Sequence, residues 1–185
     1  NDNSKALKFF KSSKQLIKQY NSYLENYTYA LVLEGEVQAA TREIKQNLTE
    51  DNSNFFEAYL LLALDSLKKK NYKESKKHLK RSYEFINNDR ISLIIAETLN
   101  QYLYVFEENK PSIIKDKFGN FSLINKVFQR CYLNDKNTKT YFRNLINSQK
   151  EEYSRYIFFY INYLIENDEY DEAKKITDNL DYLNS

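Results

Sequence analysis

The stretch ENDEYDEAKK, residues 166–175, is nearly repeated by the earlier stretch KKKNYKESKK, residues 68–77. In both, charged and amide residues lead to a tyrosine, Tyr170 or Tyr72, and a small residue follows three places later. Because Asn and Asp favour turns and helix N-termini, each stretch predicts a turn followed by the start of a helix. Two copies of one turn in a short chain indicate repeated helical hairpins.

The composition of the 185 residues indicates a folded, all-α protein. Hydrophobic residues make up 42% and charged residues 29%, which is typical of globular rather than disordered chains. Two glycines and one proline supply little turn material for a multi-stranded sheet. Apolar residues recur at three- and four-residue spacing, as in Tyr59, Leu62, Ala63 and Leu67. This pattern predicts about ten or eleven amphipathic helices.

The chain gives few constraints on its compartment. The single cysteine, Cys131, excludes an internal disulfide and suits a reducing compartment. No apolar run reaches the roughly 18 residues of a membrane-spanning helix. No secretory signal is present, but the chain begins at Asn1, so an earlier targeting segment stays open. We expect a cytoplasmic location, and the net charge of +2 indicates no particular partner.

The pattern of a turn followed by a small residue recurs four times. The pairs are Val37 with Ala40, Tyr72 with Ser75, Asn137 with Thr140, and Tyr170 with Ala173. The first two pairs are 35 residues apart and the last two are 33 apart, whereas the middle interval is 65 residues. A degenerate unit is therefore expected in the middle of the chain. A helix-turn-helix period of about 34 residues is typical of tetratricopeptide repeats.

The chain resembles the tetratricopeptide repeat (TPR) family, with loosely conforming units similar to those of some bacterial repeat proteins. In the second unit Tyr59 occupies the family's aromatic position, and Leu62 and Ala63 form its large–small pair. Ser75 is the small contact on the second helix. Small residues allow two antiparallel helices to cross closely, and large ones fill the space between hairpins. The resemblance implies an α-α superhelix, a solenoid of antiparallel helical hairpins.

We predict a single TPR-like domain over residues 1–185, with five hairpin units after an N-terminal helix. The hairpin units span residues 21–54, 55–89, 90–120, 121–153 and 154–185. Residues 1–20 are expected to be either the second helix of a hairpin whose first helix would precede Asn1, or a dedicated capping helix. Phe128 and Ile161 depart from the family pattern, since they stand where Gly or Ala is usual.

The sequence offers little material for catalysis or for holding a metal or cofactor. His78 is the only histidine and lies on a helix face predicted to be solvated, and Cys131 falls on an apolar face. Gly35 and Gly119 are isolated, so no phosphate-binding loop is predicted. No Cys or His pair has metal-ligand spacing. We therefore expect a non-enzymatic protein without cofactors or metals.

A run of cations is the sharpest local feature, since residues 68–81 hold eight Lys or Arg and one acid. Four lysines fall on one helix face and define the basic stripe, a candidate anion-binding site: Lys73, Lys76, Lys77 and Lys80. Such a stripe suits the phosphates of a nucleic acid or an anionic membrane. Aromatic residues do not interleave with it, and a lysine-rich outer face is ordinary on a second helix. Nucleic-acid or membrane binding is therefore the alternative hypothesis.

The resemblance implies a scaffold for protein–protein interaction, whose first helices bind a peptide or partner protein on a concave surface. Carried onto this chain, the contact residues are Glu25, Tyr29, Leu60, Leu64, Leu67, Glu97, Asn100, Asn125, Gln129, Tyr132, Phe158 and Asn162. Lys and Arg are absent from this set, so we expect an internal or helical peptide rather than a free acidic C-terminus. The apolar members could instead pack against a neighbouring hairpin. A third hypothesis is a structural segment of a longer repeat protein, and the oligomeric state stays open.

Overall fold

The computed structural model of the protein describes residues 2–20, 22–48, 54–113, 120–147 and 156–178. Within these ranges the chain forms ten α-helices and two short 3₁₀ helices, and it contains no strand. The α-helices are α1 (Asp2–Ser12), α2 (Tyr23–Leu33), α3 (Val37–Asn47), α4 (Phe56–Lys68), α5 (Tyr72–Ser82), α6 (Arg90–Glu108), α7 (Asn120–Tyr132), α8 (Thr138–Ile146), α9 (Ile157–Glu166) and α10 (Tyr170–Asp178). The 3₁₀ helices are Lys14–Lys18 and Tyr83–Phe85. The predicted all-α fold is confirmed.

One turn joins four pairs of helices: α2 to α3, α4 to α5, α7 to α8, and α9 to α10. The second residue of each connection has a left-handed backbone, with φ between 50° and 79°: Gly35, Lys70, Asn134 and Asp168. The amide of the next residue donates to a carbonyl five residues earlier, at 2.8–3.0 Å, in the pairs Glu36–Leu31, Asn71–Ser66, Asp135–Arg130 and Glu169–Leu164. This bond is the one that closes a helix in the Schellman motif. The two stretches 68–77 and 166–175 are similar because each encodes this turn.

The connections differ in one place. Three of them are three residues long, whereas the α7–α8 connection, Leu133–Asn137, has five residues. The left-handed residue Asn134 keeps the second position. The two extra residues therefore lie between the turn and the start of α8.

The chain forms two compact units, Asn1–Leu103 and Tyr104–Ser185, with the boundary inside α6. In the first unit α2 packs against α3, and α4 packs against α5. Three groups of buried side chains make its core. The first joins α1, α2 and α3 and includes Leu7, Leu24, Tyr27, Leu31 and Ala40; the second joins α3 to α4 through Ile44, Ala58, Tyr59 and Leu62; the third joins α4, α5 and α6 and includes Phe56, Ala63, Leu79, Ala96 and Leu103.

Small residues lie where the paired helices meet. The Oγ of Ser75 donates to the carbonyl of Ala63 at 2.7 Å, so α5 touches the backbone of α4. Both residues are fully buried, as is Ala40 on α3, and Ala173 on α10 is nearly so. A larger side chain at these points would push two helices apart.

The N-terminal segment is tied to the α2–α3 hairpin by charge as well as by apolar contacts. Lys14 pairs with Glu43, a buried carboxylate on α3, and Lys11 pairs with Glu36 at 2.7 Å. Ile17 is buried, whereas Phe9 is exposed. Pairing with Lys14 matters because a buried carboxylate without a partner is costly.

In the second unit α7, α8, α9 and α10 share one core, which includes Val127, Phe142, Leu145, Tyr160 and Leu164. The ring of Phe142 stacks on that of Tyr160 at 5.3 Å between centroids. Aromatic contacts of this kind add stability beyond the area that they bury.

A network of charges and hydrogen bonds links α8 to the α9–α10 hairpin. The guanidinium of Arg143 donates to Glu172 at 2.6 Å and to the hydroxyl of Tyr160 at 3.1 Å. Tyr160 donates in turn to Glu172 at 2.7 Å, and Lys139 pairs with both Glu169 and Glu172. Burial alone would raise the pKa of Glu172, but these three donors lower it to about 2. We call this group the α8–α10 network.

Candidate functional site

The twelve residues predicted to contact a partner differ in their exposure. Six are exposed: Tyr29, Leu64, Asn100, Tyr132, Phe158 and Asn162. Four are half-buried: Glu25, Leu60, Leu67 and Glu97. Two are buried: Asn125 and Gln129. Half of the predicted contact residues are therefore open to a partner.

The shared turn provides a register for comparing the first helices. Six residues before the left-handed residue lie Tyr29, Leu64, Phe128 and Asn162, and ten residues before it lie Glu25, Leu60, Ile124 and Phe158. Asn125 and Gln129 each stand one residue later than these positions on α7. The longer α7–α8 connection displaced the sequence alignment in this helix by one residue.

The two displaced residues serve the interior of the second unit. Gln129 is 1% exposed, and its side-chain oxygen accepts hydrogen bonds from the amide and the hydroxyl of Ser112 at 3.1 and 3.0 Å. Asn125 is 6% exposed. Side chains covered to this extent have no surface to offer a partner as they stand.

The leucines of α4 divide between the core and the surface. Leu60 and Leu67 pack against the buried group that includes Ala96 and Leu99 of α6. Leu64 lies between them on the helix and is 43% exposed. The structure therefore leaves Leu64 as the one member of this set that can make a large apolar contact with a partner.

A small acidic group lies across α2 and α4. The hydroxyl of Tyr29 donates to Glu57 at 2.8 Å. Burial raises the pKa of Glu25, and the nearby charge of Glu57 raises it further. Burial also raises the pKa of Tyr29, and its bond to Glu57 adds to the effect. Glu57 was missed because the sequence alone does not bring α2 and α4 together.

Glu97 is held within its own unit. It accepts a hydrogen bond from the hydroxyl of Tyr83 at 3.1 Å, and burial together with this carboxylate raises the pKa of Tyr83. The neighbouring Asn100 is exposed. Of these two α6 residues, Asn100 is therefore the one that can meet a partner.

The exposed aromatic residues of the second unit differ in what holds them. Tyr132 is 53% exposed, but its ring meets the ring of Phe106 edge-on at 4.7 Å. Phe158 is 64% exposed. Its neighbour Phe159 packs against Phe128 at 5.0 Å, which fixes that face of α9. Replacing Phe158 should therefore disturb the fold less than replacing Tyr132.

The basic stripe lies along α5, and all four of its lysines are exposed. Lys77 approaches Glu74 at 3.6 Å. Lys77 and Lys80 line a cavity of about 470 Å³ together with His78 and Arg81. Burial lowers the pKa of His78, which favours the uncharged form of this imidazole.

A second cavity of about 810 Å³ lies between α3 and α4, and we call it the α3–α4 groove. Four cations line it, Arg42, Lys45, Lys68 and Lys69, with Leu64 among its apolar members. Sequence analysis identified Leu64 but not the groove. The signal was present only in part, as the start of the cationic run at Lys68.

Two kinds of feature are absent from the residues that the structure describes. Among the residues that the structure describes, no three His, Cys, Asp or Glu side chains form a group that could hold a metal ion. The described helices include none that is both long enough and apolar enough to cross a membrane. Cys131 is half-buried, and burial raises the pKa of its thiol, with the charge of Glu166 adding to the shift.

In comparisons with known proteins, no family model, no curated protein and no solved structure matches the chain.

Proposed function

We propose that this chain is a non-enzymatic, TPR-like scaffold that binds a peptide or partner protein on the open sides of its first helices. In this arrangement α2, α4, α7 and α9 are first helices, and α3, α5, α8 and α10 are second helices. The shared turn supports the assignment, since its left-handed residues are 35 residues apart in the first unit and 34 apart in the second. These intervals agree with a repeat of about 34 residues.

One observation carries the functional proposal. Six residues before the left-handed residue, exposed side chains recur on the first helices: Tyr29 is 40% exposed, Leu64 is 43% exposed, and Asn162 is also exposed. Phe158, which is 64% exposed, lies about one turn earlier on α9. Exposed apolar residues scattered singly are normal on a protein surface. The recurrence of exposed side chains at one position in three of the four first helices is what favours a binding surface.

The side chains around these residues supply polar contacts of both kinds. Glu25 and Glu57 accept hydrogen bonds, and the amides of Asn100 and Asn162 both donate and accept them. Within each unit an amide can therefore bond the backbone of a bound peptide, beside the exposed ring of Tyr29 in the first unit or of Phe158 in the second.

The test uses the intact chain, immobilised and exposed to an extract of the cells that produce it. A double variant, Leu64→Lys with Phe158→Lys, places a charge at each exposed apolar position. We expect it to lose the proteins that the parent retains, because a lysine cannot replace the apolar contact. Since both residues are exposed, the melting temperature should change little.

The matched control is Phe9→Lys with Ile113→Lys. It removes two apolar side chains and adds two charges, but on residues that are 59% and 90% exposed and lie outside the first helices. Retention of the same proteins by all three forms would exclude the proposed surface. A large fall in melting temperature for Leu64→Lys with Phe158→Lys would place these residues in the core.

Anion binding by the basic stripe is the second candidate, and its lysines favour it in one respect. Lys73 and Lys80 have no hydrogen-bond or ion-pair partner in the described part of the chain. If the stripe binds nucleic acid, a fluorescent oligo-dT strand should bind with an affinity that falls steeply as salt rises. Lys73→Gln with Lys80→Gln should then abolish that binding.

A further inference from the structure

The α3–α4 groove runs along α3 from Val37 to Gln46, beside the second half of α4 from Leu61 to Lys68. Near the end of α3, Ile44 packs with Ala58 and Leu62 of α4. Towards the start of α3, Val37 and Leu64 face the cavity, and each is 43% exposed. A volume of about 810 Å³ falls within the range of cavities that hold ligands.

The groove carries more positive charge than it neutralises. Asp65 is the one carboxylate among the described residues that line it, and it pairs with Lys45 at 2.7 Å and with Lys69 at 2.8 Å. Hydrogen bonds from these two lysines lower the pKa of Asp65, so it stays ionised. Arg42 and Lys68 have no acidic partner among the residues that the structure describes. Arg42 and Lys68 are therefore available to bind an anionic group in the groove.

The two unpaired cations lie where the groove meets a smaller cavity at the start of α3. Arg42 and Lys68 line this second cavity of about 540 Å³ as well. Glu36 is the acid on its wall, and Glu36 already pairs with Lys11 at 2.7 Å. Arg42 and Lys68 therefore border both cavities.

The wall of the groove combines these charges with aliphatic carbon. Leu61, Leu64 and Val37 contribute apolar surface, and Gln38 contributes an amide. None of the described residues that line the groove is aromatic. Single-stranded nucleic acids rely on stacking against aromatic rings, so this surface suits them poorly.

We infer that the α3–α4 groove binds an acidic, amphipathic segment of a partner protein. Carboxylates of the segment pair with Arg42 and Lys68, while its aliphatic side chains cover Val37, Leu61 and Leu64. Charge complementarity favours this occupant. Its carboxylates pair with Arg42 and Lys68, and its aliphatic side chains shield Leu61 and Leu64 from water. The inference rests on the proposed scaffold function and names the chemistry of its partner.

The probes are fluorescein-labelled helical peptides made of Glu, Leu and Ala, in a set that varies the spacing of Glu and Leu. A second set replaces every Glu with Gln. Fluorescence anisotropy with the intact chain measures binding. We expect at least one Glu peptide to bind, and its Gln counterpart to bind at least about tenfold more weakly, because charge-assisted hydrogen bonds are lost.

Variants of the chain locate the binding. Arg42→Gln with Lys68→Gln should weaken the binding of the Glu peptide by about tenfold or more, and Leu64→Asn should also weaken this binding. Lys73→Gln with Lys80→Gln is the matched control, since it removes two exposed cations from α5 and changes the net charge equally. It should leave the affinity within about twofold.

Three results would overturn the inference. The first is that no Glu peptide binds. The second is that Lys73→Gln with Lys80→Gln weakens peptide binding as much as the groove variants do. The third is that oligo-dT and anionic vesicles bind through Arg42 and Lys68, whereas the peptides do not. The proposed scaffold function is judged separately. If Arg42→Gln with Lys68→Gln still captures the proteins that Leu64→Lys with Phe158→Lys loses, the scaffold stands and the groove is excluded.

Discussion

The α3–α4 groove and the α8–α10 network use cations in opposite ways. In the network, Lys139 and Arg143 are both paired, because Glu169, Glu172 and the Tyr160 hydroxyl accept from them. In the groove, Arg42 and Lys68 have no acidic partner among the described residues. Both regions lie between the last helix of one hairpin and the hairpin that follows it.

The difference shows which charges hold the fold and which remain for a partner. A paired cation joins two helices, and removing its carboxylate leaves donors unsatisfied. An unpaired surface cation contributes little to the stability of the chain by itself. A contact between successive hairpins can therefore either stabilise the fold or remain available for binding, depending on whether a carboxylate pairs with its cations.

The largest expected effect tests what the two regions share. Ala40→Leu on α3 and Ala173→Leu on α10 should each lower the free energy of unfolding by about 1–3 kcal/mol, because a leucine overpacks a close helix crossing. Chemical denaturation followed by circular dichroism measures the change. Gln38→Leu and Lys174→Leu put the same side chain at exposed positions on these helices and should change stability by less than about 0.5 kcal/mol. Equal effects at the buried and exposed positions would rule out close crossings.

The next effect tests what separates the regions. Glu172→Gln should lower the free energy of unfolding by about 1 kcal/mol, since Lys139 and Arg143 lose their shared carboxylate. Arg42→Gln and Lys68→Gln should each change it by less than about 0.5 kcal/mol, since neither cation pairs with a described acid. Urea denaturation at neutral pH compares the three variants. A groove variant as destabilising as Glu172→Gln would contradict the division between paired and spare cations.

The pH dependence sharpens the same comparison. The pKa of Glu172 is lowered from 4.5 to about 2 in the folded chain. A carboxylate with a lowered pKa stabilises the fold above its ordinary pKa, and this contribution is lost as pH falls towards the folded value. Stability should therefore fall between about pH 5 and pH 2, and Glu172→Gln should show less of this fall. Thermal melts of parent and variant across that range measure it; parallel curves would show that the network does not titrate.

The smallest effect concerns the turn itself. Lys70 has a φ of 57°, a backbone that costs a residue with a side chain but costs glycine little. Lys70→Gly should stabilise the chain by roughly 0.5 kcal/mol, because the strain removed exceeds the entropy that glycine loses. Gly35→Ala is the reciprocal variant. It should destabilise the chain by about 1 kcal/mol, because a φ of 79° strains a residue that has a side chain. No atom lies within 4 Å of the added Cβ, so a steric clash does not contribute. Denaturant midpoints compare them, and the same sign for both would contradict a shared turn.

The sequence by itself predicted the features that depend on near neighbours along the chain. Apolar spacing of three and four residues predicted helices, and clusters of Asn, Asp and Gly predicted their ends. The recurrence of one pattern at Tyr72 and Tyr170 predicted that one turn is used more than once, and Lys70 and Asp168 adopt the same backbone just before these residues. These features are local, because a helix or a turn is set by hydrogen bonds within a few residues.

Only the tertiary structure decided which helix faces stay open. Leu60 and Leu64 lie four residues apart on one predicted face, yet Leu60 packs towards α6 and Leu64 faces the groove. Gln129 is buried, and the sequence alignment misassigned it because the α7–α8 connection is two residues longer than the others. Arg42 has no acidic partner among the described residues, because Asp65 pairs with Lys45 and Lys69 instead. Exposure and charge pairing depend on residues far apart in the sequence, so periodicity along one helix does not determine them.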